Sequence, residues 1–156
     1  MASILDQIKA RQAALLAKST TDLPIPTWGT HGHPKAWLRV HPVDADFSEK
    51  QRAKALKVPA AGQARAALHA QAVIIAKATE AVLIGEGAEQ ASFTLDDPDL
   101  LAALGIPDCK SNAEAVQALV GNSVTGADGY LVAMSDAIAR HSGHAAEVVE
   151  EEVQGD

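Results

Sequence analysis

The longest apolar pattern in the chain is Gly62–Ile84, GQARAALHAQAVIIAKATEAVLI. It has no proline and no internal glycine, and its alanine and leucine-type residues favour helix. Between Ala66 and Ala76 only His69 and Gln71 break the apolar run. A helix that apolar on most faces needs neighbours on more than one side. Lys77, Thr79 and Glu80 interrupt it short of the ~20 apolar residues that span a membrane. The pattern predicts a central helix over 62–84, with helices before and after packed on it and C-cap chemistry at Gly85-Glu-Gly87. His69 is expected to be a hydrogen-bonded core or interface residue.

Upstream, Ser3-Ile-Leu-Asp6 has capping-box spacing. Behind it Ile4, Leu5, Ile8, Leu15 and Leu16 fall on one stripe, predicting a first helix over Ser3–Lys18. Ala36, Leu38 and Val40 then alternate with Trp37, Arg39 and His41, as in a strand with one buried face. Before that strand, Pro24 and Pro26 leave one side of an extended segment without N–H groups, while Leu23 and Ile25 keep theirs on the other. Such a segment can pair on one side only, so the prolines mark an edge strand. The prediction is a two-stranded hairpin over 22–43, with Leu23, Ile25, Leu38 and Val40 turned onto the central helix. Two strands alone are marginal, so the hairpin must lean on helices.

Asp46–Lys57 reads as a short basic helix stopped near Pro59, and Ser92–Leu95 as an extended segment and candidate third short strand. Asp97 caps a helix with Pro98 in its first turn and a stop at Gly105. Ser111-Asn-Ala-Glu114 is a capping box opening a helix over Ala113–Val120. A last long helix starts at Thr125 or Asp128 and runs to Gly143, followed by an acidic, fraying end. The fold class is mainly α (α+β): five to six helices and one hairpin in a single domain over 1–145, with a flexible acidic tail at 146–156.

Charge sharpens this picture. Residues 1–80 carry 11 Lys/Arg and 6 Asp/Glu, a balance of +5; residues 81–156 carry 2 and 14, a balance of −12, together giving the net −7. Such polarity suits halves that attract each other, partners of opposite sign at the two ends, or simply solvated helix faces with an acidic tail. A small positive excess without interleaved aromatics argues against nucleic acid. The opening MASILDQIKARQAALLAK lacks the basic-then-apolar layout of a signal peptide, so a cytoplasmic setting is the default expectation.

The candidate chemistry is sparse. His31, His33 and His41 lie in or beside the hairpin loop, and His141 and His144 near the end of the last helix; neither group has a carboxylate at ligand spacing. Asp44-Ala-Asp46 and Asp96-Asp-Pro-Asp99 are explained by helix capping, and neither has the glycine and terminal glutamate of a calcium loop. Cys109 is alone, which excludes a disulfide framework and a Cys-based zinc site. Its acidic loop disfavours the thiolate. Gly85-Glu-Gly87 is not a nucleotide loop, since it lacks a third glycine and follows no predicted strand. The expectation is a non-enzyme without metal or cofactor.

Two segments resemble a known family. Asp22-Leu-Pro-Ile-Pro followed by Trp28, and Arg39-Val-His-Pro-Val43, resemble the "DLPVP" and "RYRPV"-like segments of tail assembly chaperones of long-tailed (siphovirus-type) bacteriophages of actinobacteria. Leu95-Asp-Asp-Pro-Asp-Leu-Leu-Ala-Ala-Leu-Gly-Ile-Pro resembles the family's "FDP…LGLP" stretch, and Asn112–Val120 its next helix. The likeness covers nearly the whole chain with soft motifs. The chain departs from it at His41, where the family has arginine, and in the histidine-rich loop Gly29–Lys35. The resemblance implies a protein that coats the tape measure protein, keeps it soluble and helps tail tube protein polymerise around it. It further implies self-association, a longer frameshifted form, and residence in the host cytoplasm during virion assembly but not in the mature virion. A structural virion component, such as a minor tail or head–tail connector protein, is the second reading.

For a partner surface the residues themselves point to Trp28, Trp37, Arg39 and His41. The two tryptophans are among five aromatic residues in the chain, and aromatics beside arginine are frequent interface anchors. The alternative is that both rings cover ends of the core. If the loop histidines hold no metal, zinc leaves the melting temperature of the wild type and of a His31→Ala/His33→Ala/His41→Ala variant unmoved. A zinc-dependent rise abolished by the triple substitution would establish a site there.

Overall fold

The computed structural model describes residues 3–26, 28–29, 32–120 and 128–154. The order of elements is α1 (Ile4–Lys18), β1 (Thr21–Pro24), β2 (Ala36–Val40), α2 (Ala45–Leu56), α3 (Ala60–Ala78), β3 (Thr79–Ile84), β4 (Ala91–Phe93), α4 (Pro98–Ala103), α5 (Asn112–Val120) and α6 (Asp128–Gln154). The fold is mixed α+β and mainly helical, as expected. The strands form one antiparallel sheet in the order β1-β2-β3-β4.

The first two strands of that sheet are the predicted hairpin. Leu23 faces Leu38 across the ladder, and the Ile25 N–H donates to the Ala36 carbonyl at 2.9 Å. Pro24 falls on the outer edge of β1, where a missing N–H group costs nothing, while Pro26 lies beyond the strand in a turn closed by the Trp28 N–H on the Ile25 carbonyl.

The sheet is wider than the sequence suggested because the central helix ends early. At Thr79 the backbone turns extended (φ −77°, ψ 121°), and Thr79–Ile84 becomes β3, paired to β2 on one side and β4 on the other. Local propensity is nearly neutral over Thr-Glu-Ala-Val-Leu-Ile, and β-branched Val82 and Ile84 gain more from a half-buried pleated surface than from a helix turn. The Thr79 hydroxyl donates to the Ile75 carbonyl at 2.7 Å, closing the last helical turn without glycine. Gly85-Glu-Gly87 therefore turns the β3–β4 connection instead of capping a helix. Gly85 has φ +94°, and a Cβ there would lie 3.1 Å from the Glu89 carbonyl oxygen.

The shortened helix still occupies the centre. α3 packs against α2, α5 and α6, and its Ala72, Ile75 and Ala78 join Leu38, Val40, Val82, Val116, Leu119, Leu131 and Ile138 in one core. Its small side chains let the neighbouring helices approach closely. Its first ten residues, Ala60–His69, contain no buried member, so the outer half of the α2–α3 pair stands clear of the core. His69 is exposed there, not in the core, because its turn of α3 lies beyond the sheet.

The predicted caps form. Asp44 Oδ1 accepts the Asp46 N–H, Asp97 Oδ1 accepts those of Asp99 and Leu100, and Ser111 Oγ accepts that of Glu114. Gly105 ends the α4 turn with φ +80°. The helical backbone of α6 continues past Gly143 to Gln154, as the alanine- and glutamate-rich sequence there permits. Thr125, one of the two predicted starts of this helix, lies outside the described residues.

α1 forms where predicted, with Ser3 Oγ accepting the Asp6 N–H at 3.1 Å. Its described side chains do not pack on the domain. Every residue from Ser3 to Leu15 is exposed, Ile4 by 74% and Leu5 by 69%.

Leu38 is fully buried between sheet and helices. Leu38→Ala is expected to lower unfolding free energy by about 2–5 kcal/mol through transfer loss and the cavity left behind, measured by urea denaturation. A loss under about 0.5 kcal/mol, typical of surface positions, would mean that the sheet is not packed on α3.

Candidate functional site

Strand register divides the four predicted partner residues. Leu23, Leu38, Val82 and Phe93 share the inner face of the sheet, so Asp22, Trp37, Arg39, Leu83 and Ser92 share the outer one. Arg39 is exposed, and its guanidinium forks onto the Asp22 carboxylate: Nε donates to Oδ1 at 2.9 Å and Nη2 to Oδ2 at 3.2 Å. That hydrogen bond, then the charge of Asp22, raises Arg39 above its ordinary pKa, with Glu80 adding to it. Thr20, Thr21, Asp22, Arg39 and Glu80 line a shallow polar hollow beside this pair.

Trp37 is half-buried on the same face. Leu83 lies directly across the ladder from it and is 4% exposed, although it stands outside the main core. A buried leucine on that face needs cover, and Trp37 is the large ring placed to give it. Trp37 and Arg39 thus form a continuous face with an apolar centre and a charged border, the composition of an interface anchor.

Trp28 belongs elsewhere. Its ring packs against the core, and its indole Nε1–H donates to the Leu119 carbonyl at 2.9 Å near the end of α5. This contact staples the hairpin loop to the helical layer across 91 residues of sequence. His41 is half-buried just past β2; its Nδ1–H donates to the Pro42 carbonyl at 2.9 Å and its backbone N–H to that of Ala78. The structure therefore brings Trp37 and Arg39 together, gives Trp28 a role in holding the fold, and turns His41 towards its own backbone. Among the described residues no cluster of three or more His, Cys, Asp or Glu is placed to hold a metal ion. Cys109 is half-buried and donates to the Ser111 carbonyl through Sγ at 3.0 Å.

A second surface escaped sequence reading. Between α2 and α3 runs an open, mainly apolar groove of ≈ 550 Å³, floored by Ala60, Ala64, Ala67 and Ala70. Leu56, 72% exposed, stands on one wall and Arg52 on its rim. Gln71 also lines it, and its Oε1 is buried with no hydrogen-bond partner. The signal was the spacing 60, 64, 67, 71 along α3, one face of a helix carrying three alanines and a glutamine; alanine passes equally well as core, so the pattern alone did not mark a groove.

No protein-family model, curated protein or solved structure matches the chain. What the geometry itself defines is a small α+β domain with two open surfaces, the outer face of the sheet around Trp37 and Arg39 and the groove between α2 and α3.

Trp28→Phe keeps the ring but leaves the Leu119 carbonyl without its donor, and is expected to cost about 1–3 kcal/mol in chemical denaturation. Arg39→Ala, which breaks an exposed pair, is expected to cost no more than about 1 kcal/mol. The reverse order would place Trp28 on the binding surface and make the Arg39 pair the structural one.

Proposed function

We propose that this chain is a tail assembly chaperone of a long-tailed bacteriophage. In this reading it binds the tape measure protein, keeps that long helical chain soluble and promotes assembly of tail tube protein around it. The reading starts from the likeness of Asp22–Pro26, Arg39–Val43 and Leu95–Pro107 to that family. One structural observation supports it most: the first two of these segments, apart in sequence, meet at one register pair of the β1–β2 ladder, Asp22 opposite Arg39, and the side chains of that pair are joined as a fork. Leu23, Ile25 and Val40 of these segments go to the core, whereas the Asp22–Arg39 pair stays on the outer face, where a partner can reach it. On that face Trp37 supplies the apolar anchor and Arg39 the polar one.

Co-expression tests the reading. Tape measure protein is expected to be soluble with this chain and insoluble without it, and the two are expected to co-purify. Trp37→Ala with Arg39→Ala is expected to abolish co-purification while helical circular dichroism and melting temperature stay close to wild type. Tape measure protein that is equally soluble alone would overturn the proposal. Stoichiometric amounts of the chain in purified particles would make it a structural virion component instead.

A further inference from the structure

The groove between α2 and α3 is the outer part of a longer trough. At the inner end, Ser48 and Arg52 of α2 and Ile74 of α3 line a hollow together with Ile138, Ser142 and Gly143 of α6. Arg52 also stands on the rim of the open groove, so the two spaces adjoin. Ser48, Arg52 and Leu56 recur every four residues on α2, and Ala64, Ala67, Gln71 and Ile74 every three or four on α3. Each set is one helical face. The end of α6 meets the inner part of this surface, and the outer part lies open.

The acidic end of the chain begins four residues past Gly143. Residues 147–156 carry five Asp/Glu and no Lys/Arg, whereas residues 45–78 carry six Lys/Arg against Asp46 and Glu49, a balance of +4. Asp46 and Glu49 belong to the inner start of α2, away from the open part. Val149 and Val153 are four apart, so a helix over this end carries an apolar stripe beside its acids. Charge and apolar pattern both complement a groove with an alanine floor, a leucine wall and an arginine on its rim.

As a straight extension of α6 the same segment is poorly served. Glu147 and Glu151 are four apart, and like charges at that spacing repel on a helix. The acids also gather at a helix C-terminus, whose dipole is already negative. Ser142-Gly143 offers the place to turn. The Ser142 hydroxyl donates to the Ile138 carbonyl at 2.7 Å, a back-bond that bends helices, and Gly/Ser pairs are common kink sites. A Cβ at Gly143 would meet nothing within 4 Å, so space is left for the chain to reverse. Residues 144–146 span about 10 Å when extended, and the rim at Arg52 borders the hollow that Gly143 lines.

We propose that residues 147–156 fold back at Ser142-Gly143 and lie in the α2/α3 groove of their own chain, valines towards the alanine floor and carboxylates towards the basic rim. The extended α6 and the folded-back end are two positions of one segment. Salt sets the balance between them, because screening weakens the attraction of acid to base. In the folded-back position the groove is closed to any other helix. The contact is internal and needs no tape measure protein, so its failure would leave the proposed function standing.

The test uses the full chain and a fluorescent peptide of residues 144–156, followed by anisotropy. Neutralising the end with Glu147→Gln, Glu150→Gln, Glu151→Gln and Glu152→Gln is expected to free the groove, and this variant binds the peptide. The wild type, whose groove holds its own tethered end, is expected to bind the peptide roughly tenfold more weakly, as for a competitor at millimolar effective concentration. Added salt is expected to weaken binding to the neutralised variant. Ala67→Trp on the exposed floor and Arg52→Glu on the exposed rim, each placed in the neutralised chain, are expected to abolish binding with circular dichroism unaltered. A peptide that fails to bind the neutralised variant at low salt would overturn the proposal. Equal affinity for both chains would do the same, as would binding indifferent to both groove substitutions. So would a wild-type block that disappears as the chain is diluted, since the occupant would then be the end of another copy.

Discussion

Everything in this fold depends on the burial of the inner half of α3 in one core shared with the sheet, α5 and α6. Ala72 and Ala78 are fully buried beside Ile75, and Leu38, Val40 and Val82 meet them with no exposure of their own. Alanine along α3 lets the neighbouring helices α5 and α6 come close, so dispersion between many small groups replaces the large rings that this sequence lacks. The same core explains why α3 runs directly into β3. Ala78 is the last residue of the helix, and its carbonyl accepts the His41 N–H at 2.9 Å. The helix C-terminus is thereby tied to the end of β2, and the next residues have a partner strand waiting. α6 completes the enclosure: Ser142 Oγ accepts the Val43 N–H at 2.8 Å and donates to the Ile138 carbonyl, fastening the last helix where the chain leaves the sheet for α2.

Much of this was legible where the signal was local. Asp44, Asp97 and Ser111 marked helix starts because a short side-chain oxygen at an N-cap satisfies backbone donors whatever the rest of the chain does. Pro24 marked an edge strand because a missing N–H is a fact of the residue. Legibility failed where a segment's state is decided by what lies beside it. Thr79–Ile84 carries no residue that forbids helix, and only the open edge of β2 makes strand the better choice. His69 looked like a core residue because its neighbours are apolar, but alanine-rich turns remain exposed when no element is laid over them. The partner surface was half legible. Trp37 and Arg39 alternate with buried neighbours and had to face outward, whereas Trp28 lies in a connection without periodicity, and its bond to Leu119 joins residues 91 apart.

The uncovered apolar surface is distributed in a way that separates folding from binding. The sheet's inner face and the inner half of α3 are closed, with Leu38, Ile75 and Val82 each at 0–1% exposure, and they carry the cooperative core. α1 and the outer half of the α2–α3 pair contribute little to it. Phe47, with the Lys77 Nζ 5.6 Å from its ring centroid, anchors the α2–α3 pair at its inner end and leaves the outer end open. Substitutions on α1 or along the alanine floor can therefore alter recognition while leaving the fold intact. Burial divides this chain into a core that tolerates little and helical surfaces on which the fold does not depend. Residues 45–78, which span α2 and α3, carry six Lys/Arg against Asp46 and Glu49, so the exposed helical half of the domain is net basic while its core carries no charge.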